Sequence, residues 1–241
     1  LTAVFQASEY TYTPIQKVLD GMPQRNLTYS MRGSYGYKDR YFVEGSFGYN
    51  GSERFAENNQ MGFFPAGGIA WVVTSEPFMA STSKWLDFLK FRASYGQVGN
   101  DGIVASPRFV YLPNLVGQMG FTDPESGTGG SAFVAKKVLY YANEKIKWEI
   151  AEQLNLGIET KLFKGLVEFT LDAYQEIRHN IIGYRTNVPA NMGIEYSQLD
   201  NIGKSRSRGI DFSGKIQHAF TPDFWIILNG TLTYNKVVYK A

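Results

Sequence analysis

The chain has 241 residues, is 44% hydrophobic and 15% aromatic, and carries 25 glycines and no cysteine. A formal net charge of +2 lacks the basic face of a nucleic-acid binder. The absence of cysteine excludes a disulfide scaffold, a thiolate metal centre and a cysteine nucleophile.

The first ten residues, LTAVFQASEY, show neither the basic region nor the apolar run of a secretory signal. No stretch approaches the ~18 apolar residues of a membrane helix. That excludes a helical span but not membrane strands, which place only alternate residues in lipid.

From residue 27 onward the dominant pattern has a period of two. In residues 27–37 one face carries Leu27, Tyr29, Met31, Gly33, Tyr35 and Tyr37, and the other carries only Thr, Ser, Arg and Gly. That is a strand with one apolar and one wet face. Lys38-Asp39 reads as a tight hairpin turn. Tyr41, Val43, Gly45, Phe47 and Tyr49 then resume the alternation, with Phe42 as the one exception on the wet face.

The pattern recurs with Phe63, Gly67, Ile69, Trp71 and Val73, and again with Leu89, Phe91, Ala93 and Tyr95. Later runs are Leu154, Leu156, Ile158 and Leu162, then Val167, Phe169, Leu171 and Ala173. Ile210, Phe212 and Ile216 follow, and Phe224, Ile226, Leu228, Leu232 and Tyr234 close the series. Each run has about 9–11 residues, the length of a tilted membrane-spanning strand. Soluble sandwiches favour about 5–6.

The connections alternate between short and long. Lys38-Asp39, residues 163–165 and residues 218–223 are short; residues 50–62, 97–147 and 178–205 are longer, and 74–85 is intermediate. Short periplasmic turns and long extracellular loops mark an outer-membrane barrel. Residues 27–37 then run inward and 40–49 outward. The segment 97–147 holds a candidate further hairpin at 109–112 and 138–141, which raises the count from eight to ten. Trp71, Trp85 and Trp225 fall near predicted periplasmic strand ends and Trp148 near an extracellular one, as in an aromatic girdle. The fold class is therefore all-β, an antiparallel transmembrane β-barrel segment. Both ends read as cut, which predicts a piece of a larger protein.

An ordered series of short motifs supports a closer comparison. It runs from Tyr37-Lys38-Asp39-Arg40-Tyr41 and Glu44-Gly45-Ser46 through Asn50-Gly51-Ser52-Glu53-Arg54-Phe55. Gly62-Phe63-Phe64-Pro65-Ala66, Ile69-Ala70-Trp71 and Ser75-Glu76-Pro77-Phe78 follow. Residues 89–101 (LKFRASYGQVGND), Trp148-Glu149, Asn201-Ile202-Gly203 and Arg208-Gly209-Ile210-Asp211 complete it. The series resembles the barrel of the SusC/RagA-like TonB-dependent outer-membrane transporters of Bacteroidetes. Asn50-Gly51-Ser52-Glu53 departs from the Asp-Gly-Ser-Ser usual there.

The resemblance implies about 8–10 strands of a 22-stranded barrel, located in the bacterial outer membrane. It implies a plug, a TonB box and an N-terminal extension, none of which falls within residues 1–241. It further implies import of an oligosaccharide or peptide, energised by TonB through the missing N-terminal part. A SusD-like surface lipoprotein would act as lid, and outer-membrane lipid would surround the wall. No cofactor, metal, nucleic acid or covalent chemistry is implied. An open ribbon of strands in lipid would leave two rows of backbone groups unpaired, so such a piece should depend on the missing strands.

The remaining signals are weak. Gly96-Gln97-Val98-Gly99-Asn100 lacks the Lys-Ser/Thr and the helix of a phosphate loop. His179 and His218 fall in or near predicted loops at opposite membrane faces and read as solvated. Asn50-Gly51-Ser52 and Asn229-Gly230-Thr231 match a glycosylation pattern, but a turn or strand accounts for them better. Glu44, Arg92, Glu159, Glu168, Asp172 and Asp211 are predicted to face the lumen, where they either contact solute or plug or simply line a hydrated interior. Phe109, Tyr111, Phe121, Phe133, Tyr140 and Tyr141 are loop aromatics that could meet solute or lid. Two alternatives are a soluble all-β glycan-binding surface module and a small outer-membrane barrel enzyme. The enzyme would need its Ser, His and acidic groups on one rim.

Overall fold

A computed structural model describes residues 1–11, 23–102, 109, 111–121, 133–185, 198–221 and 223–240. Within these, eleven strands run in chain order: β1 (Thr2–Tyr10), β2 (Gln24–Tyr37), β3 (Tyr41–Ser52), β4 (Met61–Val72), β5 (Leu86–Asn100), β6 (Asn114–Phe121), β7 (Phe133–Tyr140), β8 (Glu149–Leu162), β9 (Val167–Tyr184), β10 (Leu199–Thr221) and β11 (Phe224–Lys240). Nine form one sheet in the order β1-β2-β3-β4-β5-β8-β9-β10-β11, and β6 and β7 form a separate two-stranded sheet. Every pairing is antiparallel.

Register turns the alternation of each strand into two continuous faces. Tyr41, Trp71, Phe91, Ile158, Leu171, Phe212 and Leu232 stand opposite one another across seven successive strands. The next row of the same face is Tyr35, Val43, Ile69, Ala93, Leu156, Ala173, Ile210 and Tyr234. Between these rows, on the other face, lie Phe42, Ala70, Arg92, Gly157, Asp172, Asp211 and Thr233. A one-residue slip in any strand would carry its apolar set to the polar face.

The apolar face is uncovered by protein. Ile69 is 61% exposed, Leu232 68% and Tyr234 62%. A soluble protein rarely leaves a belt of this extent open. Along β11 the outward apolar stretch runs from Phe224 to Tyr234, about 33 Å of extended chain. At a strand tilt of about 40° that is about 25 Å in height, the band expected of a membrane barrel.

The short connections lie on one end of the sheet. Lys38 and Asp39 both have φ of 52°, and Arg40 N–H donates to Tyr37 O at 3.0 Å, which closes the expected tight hairpin. Gly165, at φ of 79°, lets the 163–166 turn close without a Cβ penalty. The connection between β4 and β5 is built from two 3₁₀ turns, Val73–Ser75 and Pro77–Thr82.

Three expectations need correction. The strands outrun the 9–11-residue runs, reaching 23 residues in β10, because ladder pairing continues where the apolar alternation has stopped. Much of the presumed loop at 178–205 is therefore β9 and β10. β1 escaped notice because Ala3, Phe5 and Ala7 share its side of the pairing with Met31, Tyr29 and Leu27, and two small residues mute the period. The extra hairpin exists but is shifted to Asn114–Phe121 and Phe133–Tyr140, so Phe109 and Tyr111 precede it.

The two faces are tested by charge. Ile158→Arg, inside the belt, should destabilise the membrane-embedded protein by about 2–4 kcal/mol. Ser94→Arg, on the opposite face, should cost less than about 1 kcal/mol. Urea unfolding of the full-length protein in lipid vesicles measures both, and equal costs would refute the assignment of faces.

Candidate functional site

The polar face carries a chain of ion pairs across adjacent strands. Arg32 reaches Glu44 at 2.7 Å, and Lys161 reaches Glu168 at 3.5 Å. At the centre, Arg92 Nη2 donates to both oxygens of Asp172, at 2.7 and 2.6 Å. Arg92 Nε lies 3.2 Å from Glu159, which also takes Lys90 Nζ at 3.4 Å. β5 and β9 are not neighbours, since β8 runs between them. The bridge forms because Gly157 occupies the intervening position. A Cβ there would lie 2.5 Å from Arg92 Nε and 2.6 Å from Asp172 Oδ1.

Asp211 stands opposite Asp172 in the register, yet its Oδ1 is buried with no hydrogen-bond partner among the described residues. Glu44, Glu159, Glu168 and Asp172 each hold a cation; Asp211 holds none among the described residues. Next to it, the Tyr174 ring lies over Gly209, whose Cβ would sit 2.4 Å from the phenol oxygen.

The end with short turns is anchored by Glu76. Its carboxylate accepts from Tyr41 OH, from Trp71 Nε1 at 3.2 Å and from Arg40 Nη1 at 3.3 Å. The Tyr41 hydroxyl first, with Trp71 and Arg40 behind it, holds the Glu76 carboxyl below its usual range against the opposing effect of burial. Two girdle aromatics are thereby fixed at one height.

The opposite end is closed by a small core. Phe55, Phe64, Ile146, Trp148 and Leu199 come from four separate segments and bury one another. Trp148 packs against Phe55 and Phe64, each ring centroid at 5.3 Å, and donates Nε1–H to Gln60 O at 3.1 Å. Asn201 clamps the same rim: its side chain bonds Lys147 N, Lys147 O and Asn180 O at 2.9, 2.8 and 2.7 Å. Asn143 Nδ2 donates to Leu199 O, and Ser52 Oγ to Asp101. The lead-in to β8, the β3–β4 loop and the start of β10 thus form one platform.

Sequence reasoning placed the six polar-face candidates together but missed Lys90 and Gly157 as parts of their network. It also missed the Glu76 anchor and the rim platform. The signal was present, since Glu76, Phe55, Trp148 and Asn201 all lie within the quoted motifs. Of the aromatics, Phe109 is buried and 6.2 Å from the Tyr111 ring, while Tyr141 is 48% exposed. Phe121 and Phe133 pair in the β6–β7 hairpin and Tyr140 pairs with Asn114; their side chains lie outside the described residues. His179 and His218 sit within β9 and β10 rather than in loops, opposite Ile150 and Ile226, because these strands extend past the apolar runs. The His218 ring packs edge-on against Phe220 at 4.5 Å. Residues 96–100 are extended strand within β5, not a phosphate loop.

A two-faced antiparallel sheet with an open apolar belt and unequal connections at its two ends is the wall of an outer-membrane β-barrel. The family of TonB dependent receptor-like β-barrels matches residues 10–241, and the chain belongs to it. It is 30% identical over 209 residues to TonB-dependent receptor P3 of Formosa agariphila, covering 86% of this chain and 20% of that one. TonB-dependent receptor SusC of Bacteroides thetaiotaomicron is 25% identical over 209 residues, with 87% and 20% covered. Among solved structures, the RagAB peptide transporter superposes with a TM-score of 0.75 at 21% identity, covering 90% of this chain and 22% of that one. The chain thus spans about a fifth of the length of the relatives it matches. It is an outer-membrane barrel segment of a receptor and transporter family, which sets aside the soluble glycan-binding module.

Gly157→Ala should break the Arg92–Asp172 bridge and cost about 1–2 kcal/mol. In a double-mutant cycle, Arg92→Ala should cost less in the Gly157→Ala background than in wild type, because only its Glu159 contact remains to be lost; additive costs would disprove the coupling. Glu76→Gln should lower stability at neutral pH. Because the folded carboxyl is depressed, its contribution is fully present above the unfolded value of about 4.3. It is lost as pH falls through the lower folded value. The gap between wild type and variant in heat-shifted electrophoresis should therefore close below about pH 4.

Proposed function

We propose that residues 1–241 form one part of the barrel domain of a longer outer-membrane transporter, which imports oligosaccharides or peptides. Energy comes from TonB, through a part of the protein outside this segment. A SusD-like surface lipoprotein covers the mouth at the end with long connections. The segment itself supplies wall and rim and carries out no covalent chemistry. The observation that carries this reading is the two-faced, nine-stranded sheet, in a chain whose relatives include SusC and, by fold, a peptide transporter.

On this reading the polar face lines the lumen of a closed, 22-stranded barrel. β1 and β11 each have one neighbour in the sheet, and in lipid the remaining strands of the barrel must pair their outer edges. Arg92 holds Glu159 and Asp172 in place along that lumen, while Arg32 holds Glu44 and Lys161 holds Glu168. Asp211, whose Oδ1 meets no hydrogen-bond partner among the described residues, is the carboxylate assigned to a cationic group on solute or plug. Tyr141, exposed at the start of the lead-in to β8, is offered to solute or lid, and the rim platform holds the β3–β4 loop and that lead-in steady beside it.

Uptake in the source bacterium tests this. Disrupting the gene should abolish import of labelled oligosaccharides or of labelled peptides. The full-length gene should restore it, a protonophore should block it, and the solute should arrive chemically intact. Unchanged uptake of both classes, or uptake indifferent to the protonophore, would overturn the proposal.

A further inference from the structure

The outward face does not stay apolar along β10 and β11. Just beyond Ile210 and Tyr234, the same side of the two strands carries Arg208 opposite Lys236, then Arg206 opposite Val238. Lys204 stands opposite Lys240 further on. Like charges directly opposed across a ladder are destabilising, and Arg208 and Lys236 form such a pair. Arg208 and Lys236 are exposed.

No carboxylate pairs with Arg206, Arg208 or Lys236 among the described residues. Glu152 shares the face, but it lies in the row of Arg206 two strands away, about 10 Å off. The neutral Gln175 organises the cluster instead. Its Oε1 accepts from Arg206 Nη2 and from Arg208 Nε, both at 2.7 Å. Both guanidiniums are held by one acceptor, and their remaining N–H donors and full charge stay available.

Height decides what meets them. The outward apolar stretch of β11 from Phe224 to Tyr234 fills about 25 Å of membrane thickness. Lys236 is the next outward residue and Arg208 stands opposite it, at the end with long connections, so both sit at headgroup level on the lipid side. Below Gln175 on the same face, the belt contains an apolar trough of about 630 Å³ that runs from Tyr41 and Trp71 on β3 and β4 to Leu171 and Ala173 on β9. Its β9 edge lies one strand from Arg208.

We propose that Arg206, Arg208 and Lys236 bind the phosphate of a lipid headgroup in the outer leaflet. Gln175 pre-positions the two guanidiniums, and the trough seats the acyl chains. Guanidinium forks match phosphate oxygens bidentately. The bound anion removes the like-charge repulsion between Arg208 and Lys236. The site marks one fixed point on the barrel exterior and belongs neither to the lumen nor to the rim.

The test uses the full-length protein in nanodiscs containing either a phosphorylated glycolipid or the same glycolipid stripped of phosphate. Native mass spectrometry reads retained lipid. Wild type should retain the phosphorylated form. The triple variant Arg206→Gln, Arg208→Gln, Lys236→Gln should bind it about 100-fold more weakly. Arg178→Gln, on the opposite face, should change nothing. Heat-shifted electrophoresis reports folding; if the triple variant fails to fold, Arg208→Gln and Lys236→Gln alone should each weaken retention about fivefold. Equal retention by wild type and variants overturns the proposal, as does equal retention of the stripped lipid. Displacement of the lipid by millimolar inorganic phosphate would assign the site to a free anion and overturn it too.

Discussion

In hydrocarbon there is no water to satisfy a backbone N–H or C=O, and everything else in this sheet follows from that. Each strand must be paired along its whole embedded length on both edges. The antiparallel ladders from β2 through β10 meet the demand inside the sheet. Fixed pairing then fixes register, and register gathers the alternating residues of seven strands into the same rows. The belt and the polar face are consequences of hydrogen bonding as much as of hydrophobicity.

This inverts the usual logic of a core. The large apolar residues lie mostly outside, and lipid replaces the protein interior. Among the described residues the buried apolar side chains are few; Phe55, Phe64, Ile146, Trp148 and Leu199 meet at the rim, and Val72, Val73 and Leu86 lie at the other end. That is where the chain leaves lipid, and ordinary water-driven burial again applies. At the other end a carboxylate performs the equivalent task, since Glu76 ties Tyr41, Trp71 and Arg40 together at the border of the belt.

The polar face is strongly structured for a hydrated wall. Its carboxylates are mostly satisfied from neighbouring strands, and one bridge spans an entire strand because Gly157 leaves room for it. Arg92 is therefore held in place rather than free to sweep the interior. Asp211 is the exception, with a buried oxygen that meets no partner among the described residues. The outward cations of β10 and β11 form a second unpaired set, facing a different medium. Paired charges set the geometry of the polar face.

Much of this was legible in the residues. Period-two alternation in Leu27, Tyr29, Met31, Tyr35 and their counterparts determines strands, faces and which side meets lipid, because side-chain direction in a strand is a local property. Connection lengths distinguish the two ends for the same reason. Neighbour identity is not local. That β5 pairs with β8 across the β6–β7 hairpin, that Arg92 reaches Asp172 over Gly157, and that Trp148 finds Phe55 and Gln60 all depend on long-range pairing. The convergence of Arg206 and Arg208 on Gln175 is of the same kind. The sequence determined the two media each strand must separate. Only the tertiary structure decided which side chains share a row, because register is set by the partner strand and not by the strand alone.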